Sequence, residues 1–266
     1  MTTGAVTTAR PVKPRTAWKA WAIGGVVLAI TVWTAIGVET DLGALIRNWD
    51  NAVDKVVLLT QPDYWFFPNT LPALAQTMQM AVIATAIGAA VGLPLSFLAS
   101  RVTDPSAPLV AITRSVMNVV RAVPDLLYAS ILVTIVGVGA LSGTIALVLF
   151  NVGIVVKLVS EAIDAVDRGP LEAALATGAT WVRADRAAVF PQVLPVFASQ
   201  TLYVLELNVR ASTVIGLVGG GGLGILIDQV RTFYRYHQLS LIILEILVAV
   251  LLLEAVSSWL RRRLVS

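Results

Sequence analysis

The pattern along this chain consists of long apolar runs that are separated by short polar stretches. A helix needs about 20 apolar residues to cross the hydrocarbon core of a bilayer. Six runs approach or exceed this length, at residues 18–38, 71–99, 114–138, 144–160, 196–218 and 239–260. The third run is irregular, because Arg121 and Pro124 lie inside it. The pattern predicts an all-α integral membrane protein with six transmembrane helices.

A polar tail, residues 1–17, precedes the first run and contains Arg10, Lys13 and Arg15. Positive residues before an apolar run also occur in cleaved signal peptides. The run at 18–38 is longer than the apolar part of such a peptide, and no small-x-small cleavage site follows it. We therefore expect a retained first helix behind a cytoplasmic tail.

The basic residues favour one orientation in the membrane. With the N-terminus in the cytoplasm, thirteen Lys and Arg residues fall on the inner side, including those of the C-terminal segment 261–266. Four fall outside: Arg47, Lys55, Arg231 and Arg235. Because short cytoplasmic loops carry an excess of Lys and Arg, this distribution predicts cytoplasmic termini and an external segment at 39–70.

Composition agrees with a membrane protein and limits the chemistry. The chain is 57% hydrophobic and 13% charged, whereas a soluble domain has about 25% charged residues. It has no cysteine and one histidine, His237, which leaves little for metal binding or catalysis. No Gly-Lys dipeptide occurs, so the chain has no P-loop ATP site. We expect no catalytic residue, no cofactor, no metal and, because the net charge of +3 forms no single patch, no nucleic-acid partner.

The longest polar interruption lies between the fourth and fifth runs, on the predicted cytoplasmic side. Its centre, Glu172-Ala173-Ala174, is strong helix-forming sequence, and Pro170 suits the first turn of a helix. Gly178 permits a turn or the close approach of another backbone. These residues predict a short helix that ends near Gly178.

A second amphipathic piece follows within the same interruption, which spans residues 161–195. Trp181 and Val182 stand beside charged residues such as Arg183, and we expect Pro191 to end this piece. A helix–turn–helix with one apolar side, outside the bilayer, fits the groove of a partner protein. An ordinary cytoplasmic loop is the alternative interpretation.

Polar side chains inside the apolar runs are the candidate functional groups. A charge at the centre of a membrane helix costs roughly 2.5–3.5 kcal/mol on insertion scales, so it should face a bundle interior or a cavity. Glu206 and Arg210 are four residues apart and are expected to pair on one helix face. Asn118, Arg121 and Asp125 are expected to share a face of the third run. Either these groups only fix helix packing, or the two arginines lend positive potential to a path for anions.

Two glycine patterns accompany the runs. Gly88 and Gly92 would permit close helix packing. A second group follows the fifth run: Gly219, Gly220, Gly221, Gly222 and Gly224. Its spacing formally contains a dinucleotide-binding pattern, but that pattern requires a preceding strand in a βαβ unit, and here an apolar run of membrane length precedes it. We interpret this group as a flexible or tightly packed break at the outer end of a helix.

Several of these residues resemble one family of transporters. Glu172-Ala173-Ala174 followed by Gly178 and a later Leu-Pro resembles the coupling loop of importer-type ABC transporter permeases. The motif Asn118-x-x-Arg121-Ala-Val-Pro resembles a signature of methionine-type permeases. The segment 206–219 and the aromatic cluster 64–68 are similar to those of phosphonate permeases. The chain as a whole resembles a phosphonate ABC transporter permease.

This resemblance implies a fold, a set of partners and a location. Residues 71–260 would contain the permease core of a type I ABC importer, with a cytoplasmic coupling loop. The chain would work in the bacterial inner membrane as a homodimer with two ATP-binding subunits, which hydrolyse the ATP. An extracytoplasmic phosphonate-binding protein would deliver the substrate to the segment 39–70 and to the turn at 219–238. Transport would proceed by alternating access.

The resemblance also implies roles for three groups of residues. The group that couples to the ATPase is Glu172, Ala173, Ala174, Gly178, Arg183 and Pro191. The translocation path comprises Asn118, Arg121, Glu206, Asn208, Arg210 and Ser212. The external gate is the turn Gly219, Gly220, Gly221 and Gly222.

Other functions remain open at this point. A permease of the same class for methionine or another small solute would share these features. An ion-coupled secondary transporter would use Glu206 or Asp125 as a proton carrier, and inverted repeats would support it, but none is evident. A membrane-embedded enzyme would need a catalytic set that the composition does not offer.

Overall fold

The computed structural model describes residues 17–38, 41–103 and 106–265, and within them the chain forms helices and no strands. The predicted tail lies outside the described residues except for residue 17. Twelve α-helices are described: α1 Ala17–Gly37, α2 Leu42–Arg47, α3 Trp49–Leu59, α4 Phe67–Leu98, α5 Ala107–Ala122, α6 Asp125–Val136, α7 Ala140–Asp164, α8 Gly169–Ala176, α9 Trp181–Ala184, α10 Phe190–Leu217, α11 Leu223–Thr232 and α12 Tyr236–Val265. A 3₁₀ turn, Tyr64–Phe66, precedes α4, and a π-helical turn, Asp185–Val189, precedes α10.

Five helical stretches among the described residues are long and apolar enough to cross a membrane. They contain α1, α4, α7, α10 and α12, and a sixth span arises if α5 and α6 are counted as one bent pair. The prediction of an all-α membrane protein with six spans is confirmed in this sense. The helices extend beyond several of the predicted runs, since α4 begins at Phe67 and α12 continues to Val265.

The third span is broken. Between α5 and α6 the axis turns by 81°, and Val123 at this point has an extended backbone, as is usual for the residue before a proline. Asn118 and Arg121 lie on α5, whereas Asp125 begins α6. The expectation that Asn118, Arg121 and Asp125 share one helix face is therefore wrong.

The described residues divide into two compact units, with the division between Asp54 and Lys55. In the first unit, Asp41 caps α2 by accepting a hydrogen bond from the Ala44 amide at 3.1 Å, and it also pairs with Arg47. The side chains described in α1 are all exposed. Because α1 is apolar on every side, this exposure suits contact with lipid.

Helix pairing in the second unit centres on α4 and α7, which run in the same direction. A Cβ atom placed on Gly88 would lie 2.5 Å from Asn151 Cβ, and one on Gly92 would lie 2.7 Å from Val155 Cγ1. Distances this short do not occur between real side chains, so only glycine permits this approach of the two helices. The close packing predicted for Gly88 and Gly92 is confirmed.

Candidate functional site: the coupling loop and the polar helix faces

The predicted coupling loop, 161–195, includes the last residues of α7 and the first of α10; the segment between these helices, residues 165–189, is called the coupling loop below. Its first helix, α8, has a well-formed C-terminal end. Gly178 has a φ of +85°, a conformation that glycine adopts without the strain of a side chain. The Gly178 amide donates to the Leu175 carbonyl at 2.9 Å, and the Ala179 amide donates to the Ala174 carbonyl at 3.3 Å. These two bonds form a Schellman motif. The predicted helix end at Gly178 is confirmed, and its cause is backbone conformation, since no atom lies within 4 Å of a Cβ placed there.

The two sides of the coupling loop differ in burial. Leu171, Ala184 and Val189 are buried in one cluster with side chains of α7 and α10. Glu172 and Ala173 lie exposed on the other side of α8. The loop is thus held on the helical core by its apolar side, and it presents the side that carries Glu172.

The second half of the loop differs from its predicted form. The α9 helix continues through the π-helical turn into α10 without a break, so Pro191 does not end a helix and instead lies inside this helical stretch, two residues after the π-helical turn. Trp181 and Val182 are 45% and 78% exposed, whereas Val189 is buried. These three residues do not form one apolar side, and Trp181 and Val182 extend the exposed surface next to α8.

One side chain closes the loop at its base. The Gln192 amide oxygen accepts a hydrogen bond from the Asp167 amide at 3.1 Å, and its amide group donates to the carbonyls of Asp167 at 3.2 Å and Ala188 at 2.8 Å. The start of the coupling loop is therefore tied directly to the first turns of α10.

A second connection joins the coupling loop to α4 and α5. Asp164, the last residue of α7, accepts hydrogen bonds from the Ser100 hydroxyl at 2.6 Å and the Arg101 amide at 3.0 Å. Its other oxygen accepts a hydrogen bond from Arg114 at 2.6 Å. Arg114 also donates to the Ala99 carbonyl at 2.6 Å. The C-terminal ends of α4 and α7 and the middle of α5 thus meet at Asp164, immediately before the coupling loop begins.

The polar faces of α5 and α7 enclose a cavity of about 290 Å³. On α5 the lining residues Arg114, Asn118 and Arg121 follow a helical spacing of four and three. On α7 the cavity is lined by Lys157 and Asp164, among others. The structure therefore brings the predicted path residues Asn118 and Arg121 together with α7.

Ion pairs of the fifth span differ from the predicted one. Glu206 is nearly buried and accepts a hydrogen bond from Arg261 of α12 at 2.7 Å. Arg210 is half exposed and lies 3.9 Å from Glu254, also of α12. The expected pairing of Glu206 with Arg210 is wrong, because an antiparallel neighbour offers each of them a partner of opposite charge.

Two other predicted path residues lie within the helix packing. The Asn208 amide donates to the Thr85 hydroxyl of α4 at 2.7 Å, and the Ser212 hydroxyl donates to the Val209 carbonyl at 2.9 Å. Both side chains are fully buried. Of the predicted path residues, Asn118, Arg121 and Arg210 are the exposed ones.

The glycine turn after α10 is tightly packed. A Cβ atom on Gly220 would lie 2.4 Å from an Ile215 side-chain carbon, and one on Gly221 would lie 2.7 Å from Ala140 Cα. The Gly222 amide donates to the Gln76 side chain at 2.7 Å, and the next amide donates to the Thr77 hydroxyl at 2.8 Å. Of the two interpretations offered by the sequence, the tightly packed break is confirmed.

The same end of the second unit carries polar and aromatic groups. The Asp63 amide donates to the His237 carbonyl at 3.1 Å, and His237 Nδ1 lies 2.7 Å from the Gln61 carbonyl oxygen. The Lys55 ammonium group lies 4.7 Å from the centre of the Tyr236 ring. These contacts fix the segment before α4 against the turn before α12. Within the described residues no group of three or more potential metal ligands occurs.

Sequence reasoning missed Asp164, Gln76, Thr77 and Arg261. Gln76 and Thr77 are adjacent polar residues inside an apolar run, which is a weak signal for a hydrogen-bonding role. Asp164 and Arg261 lie at the ends of their helices, where charged residues are ordinary. Their partners are remote in sequence, so the pattern contains no sign of these contacts.

Comparison with known proteins identifies the family. The family described as "binding-protein-dependent transport system inner membrane component" matches residues 92–266. This chain belongs to that family.

Several permease proteins are similar to this chain in sequence. The phosphite transport system permease protein PtxC of Stutzerimonas stutzeri is 40% identical over 201 residues, which are 76% of this chain and 73% of that protein. The phosphate-import permease protein PhnE of Mycolicibacterium smegmatis is 40% identical over 194 residues, 73% of this chain. This chain spans only 36% of the length of that PhnE. The probable D-methionine permease MetI of Vibrio cholerae is 33% identical over 201 residues, 71% of this chain and 88% of that protein.

Solved structures of ABC transporters share the fold. A chain of the inward-facing MetNI methionine ABC transporter superposes with a TM-score of 0.68 at 22% identity, covering 76% of this chain and 99% of that one. A chain of a bacterial alginate ABC transporter gives a TM-score of 0.59 at 13% identity, with 94% and 98% covered. The chain therefore has the fold of an ABC importer permease, as the resemblance in sequence implied.

Proposed function

We propose that this chain is the membrane-spanning permease subunit of an ATP-driven importer that carries phosphonates or closely related phosphorus oxyanions into the cytoplasm. Relatives named for phosphite and phosphate import, each 40% identical, support this substrate class. The exposed, positively charged Arg121 suits an anionic substrate, because a positive side chain offsets the cost of removing an anion from water.

The observation that carries the proposal is the exposed side of the coupling loop. Glu172 and Ala173 project from a helix whose opposite side is packed on α7 and α10. Trp181 and Val182 lie exposed on the same loop. A rigid protrusion with an apolar patch and one acid is suited to the groove of a partner. The partner in this proposal is an ATP-binding subunit, one for each of two copies of this chain.

The proposed mechanism is alternating access. ATP binding closes the two ATP-binding subunits, and each coupling loop moves with its subunit. The loop is joined to α10 through Gln192 and to α4 and α5 through Asp164, so a displacement of the loop is passed to these helices. The cytoplasmic termini, the homodimer and delivery by an extracytoplasmic binding protein at 55–70 and 219–238 belong to this proposal.

Replacing Glu172 tests the coupling role. Glu172→Lys reverses the charge at an exposed position, so the helical core should fold normally while the ATP-binding subunit dissociates. Co-purification of this subunit with the tagged permease measures the effect. Asp50→Lys, a charge reversal at an exposed residue of α3, is the control and should leave co-purification unchanged. Full co-purification and normal ATP-driven uptake with Glu172→Lys would contradict the docking role.

A further inference from the structure

The cavity between α5 and α7 is polar, and it lies at the end of the molecule that carries the coupling loop. Its volume of about 290 Å³ is ample for several water molecules, since one water needs only about 10–15 Å³ of such space. Seven of its ten lining residues are polar or charged. A small hydrated solute fits a space of this size and character better than an acyl chain does.

The charges around the cavity do not balance. Arg114 is paired with Asp164, and Lys157 is paired with Glu161. For Arg121, the remaining cation, the described part of the chain supplies neither an ion pair nor a hydrogen bond. The cavity therefore has one uncompensated positive charge, at Arg121.

The position of Arg121 depends on a glycine of α7. A Cβ atom on Gly153 would lie 2.6 Å from Arg121 Cγ, so the arginine stem can lie against α7 only because residue 153 has no side chain. Arg121 also lies in a spanning segment, where a charge faced with lipid is costly and charged residues line cavities instead. Both facts direct Arg121 towards the cavity between the helices.

We propose that this cavity binds a free tetrahedral phosphorus oxyanion, with Arg121 as its principal ligand. A guanidinium group can donate two parallel hydrogen bonds to the oxygens of such an anion. Asn118 can donate from its amide, and Lys157 can exchange Glu161 for the anion. The inference rests on the proposed function and adds the place where the substrate is held on the side of the coupling loop.

The carboxylates of Glu161 and Asp164 allow the site to release the anion. A site on a transport path must bind its ion well enough to admit it and weakly enough to let it go. Glu161 and Asp164 compete with the anion for Lys157 and Arg114. Their presence keeps two of the three cations occupied, so the anion is held chiefly by one arginine.

Equilibrium binding tests the inference. The complex of this chain with its ATP-binding subunits is placed in nanodiscs of zwitterionic lipid, without ATP or binding protein, and titrated with labelled methylphosphonate. Arg121→Gln should weaken binding roughly ten- to a hundredfold, the effect of losing a hydrogen bond to a charged group. Arg121→Lys should weaken it less. The control is Arg262→Gln, which removes an exposed arginine from the last turn of α12 and should leave binding unchanged.

The other possible results of the methylphosphonate titration either support or overturn the inference. Unchanged binding by folded Arg121→Gln overturns the inference. If that variant does not fold, Lys157→Gln replaces it and should also weaken binding. Nanodiscs that contain phosphatidylglycerol separate a lipid headgroup from the free anion: if this lipid displaces methylphosphonate from the wild type, the headgroup is the occupant and the inference is overturned. ATP-driven uptake without Arg121-dependent binding overturns this inference alone, whereas absence of uptake overturns the proposed function.

Discussion

The role of Gly178 at the end of α8 depends on one backbone angle. Its φ of +85° allows α8 to end in a Schellman motif, and a Cβ atom placed there would meet open space. A left-handed conformation costs an ordinary residue about 1–2 kcal/mol. The chain can thus turn from α8 towards α9 at low cost only with glycine at this position.

Gly178→Ala should therefore distort the coupling loop and leave the helical core intact. We expect the midpoint of thermal unfolding of the core to change little, and the ATP hydrolysis that substrate stimulates to fall. Gly169→Ala is the matched control, since it lies in the same loop without a positive φ and with ordinary contact distances. Equal loss of stimulated ATP hydrolysis in both variants would contradict the argument from conformation.

The ion-pair partners of charged side chains could not be predicted from their spacing in the sequence. Glu206 and Arg210 have the spacing of a pair on one helix, yet each lies beside a residue of α12. Sequence spacing describes one isolated helix, whereas the pairing depends on which neighbour packs against it. By contrast, Gly178 was predictable, because the requirement for glycine at a helix end is local.

The contact between α4 and α7 requires glycine at position 92. Gly92→Leu would insert a side chain where a single Cβ atom already lies 2.7 Å from Val155. We expect the free energy of unfolding to fall by about 1–3 kcal/mol, the usual cost of overpacking, and thermal unfolding in detergent measures it. Gly24→Leu on α1, where no atom lies within 4 Å of the added Cβ, should have little effect. Equal stability of the two variants would contradict this packing.

Asp164 joins the ends of α4 and α7 to the middle of α5. Asp164→Asn removes the charge that pairs with Arg114, and the pair is about one third exposed, so we expect a loss of only about 1 kcal/mol of stability. The larger effect should be on coupling, with fewer substrate molecules transported per ATP hydrolysed. A double-mutant cycle with Arg114→Gln isolates the contribution of the pair. Additive effects of the two substitutions on transport per ATP would show that the pair has no such role.

Helix positions were predictable from the apolar runs, and helix continuity was not. The runs indicated each spanning segment, and Pro124 indicated the irregular third one. Pro191 suggested a helix end, but it lies inside a helical stretch that runs from α9 through the π-helical turn into α10. The same residue type thus has opposite consequences in α5–α6 and in α10, and the surrounding chain decides between them.

For the whole molecule, α10 connects the two candidate functional regions. Its first turns are tied to the coupling loop through Gln192, and its last turn leads into the packed glycine turn at Gly219. A single continuous helix between these two regions offers a direct route by which movement of the coupling loop reaches the opposite end. This arrangement fits the alternating access that we propose.

Uptake of labelled methylphosphonate into vesicles is the decisive measurement for the proposed ATP-driven import. The vesicles contain this chain and its ATP-binding subunit, and the binding protein is added on the side opposite the coupling loop. We expect uptake that requires ATP and that is inhibited by excess unlabelled phosphonate and not by methionine. Uptake that persists without the ATP-binding subunit and follows a proton gradient would contradict ATP-driven import.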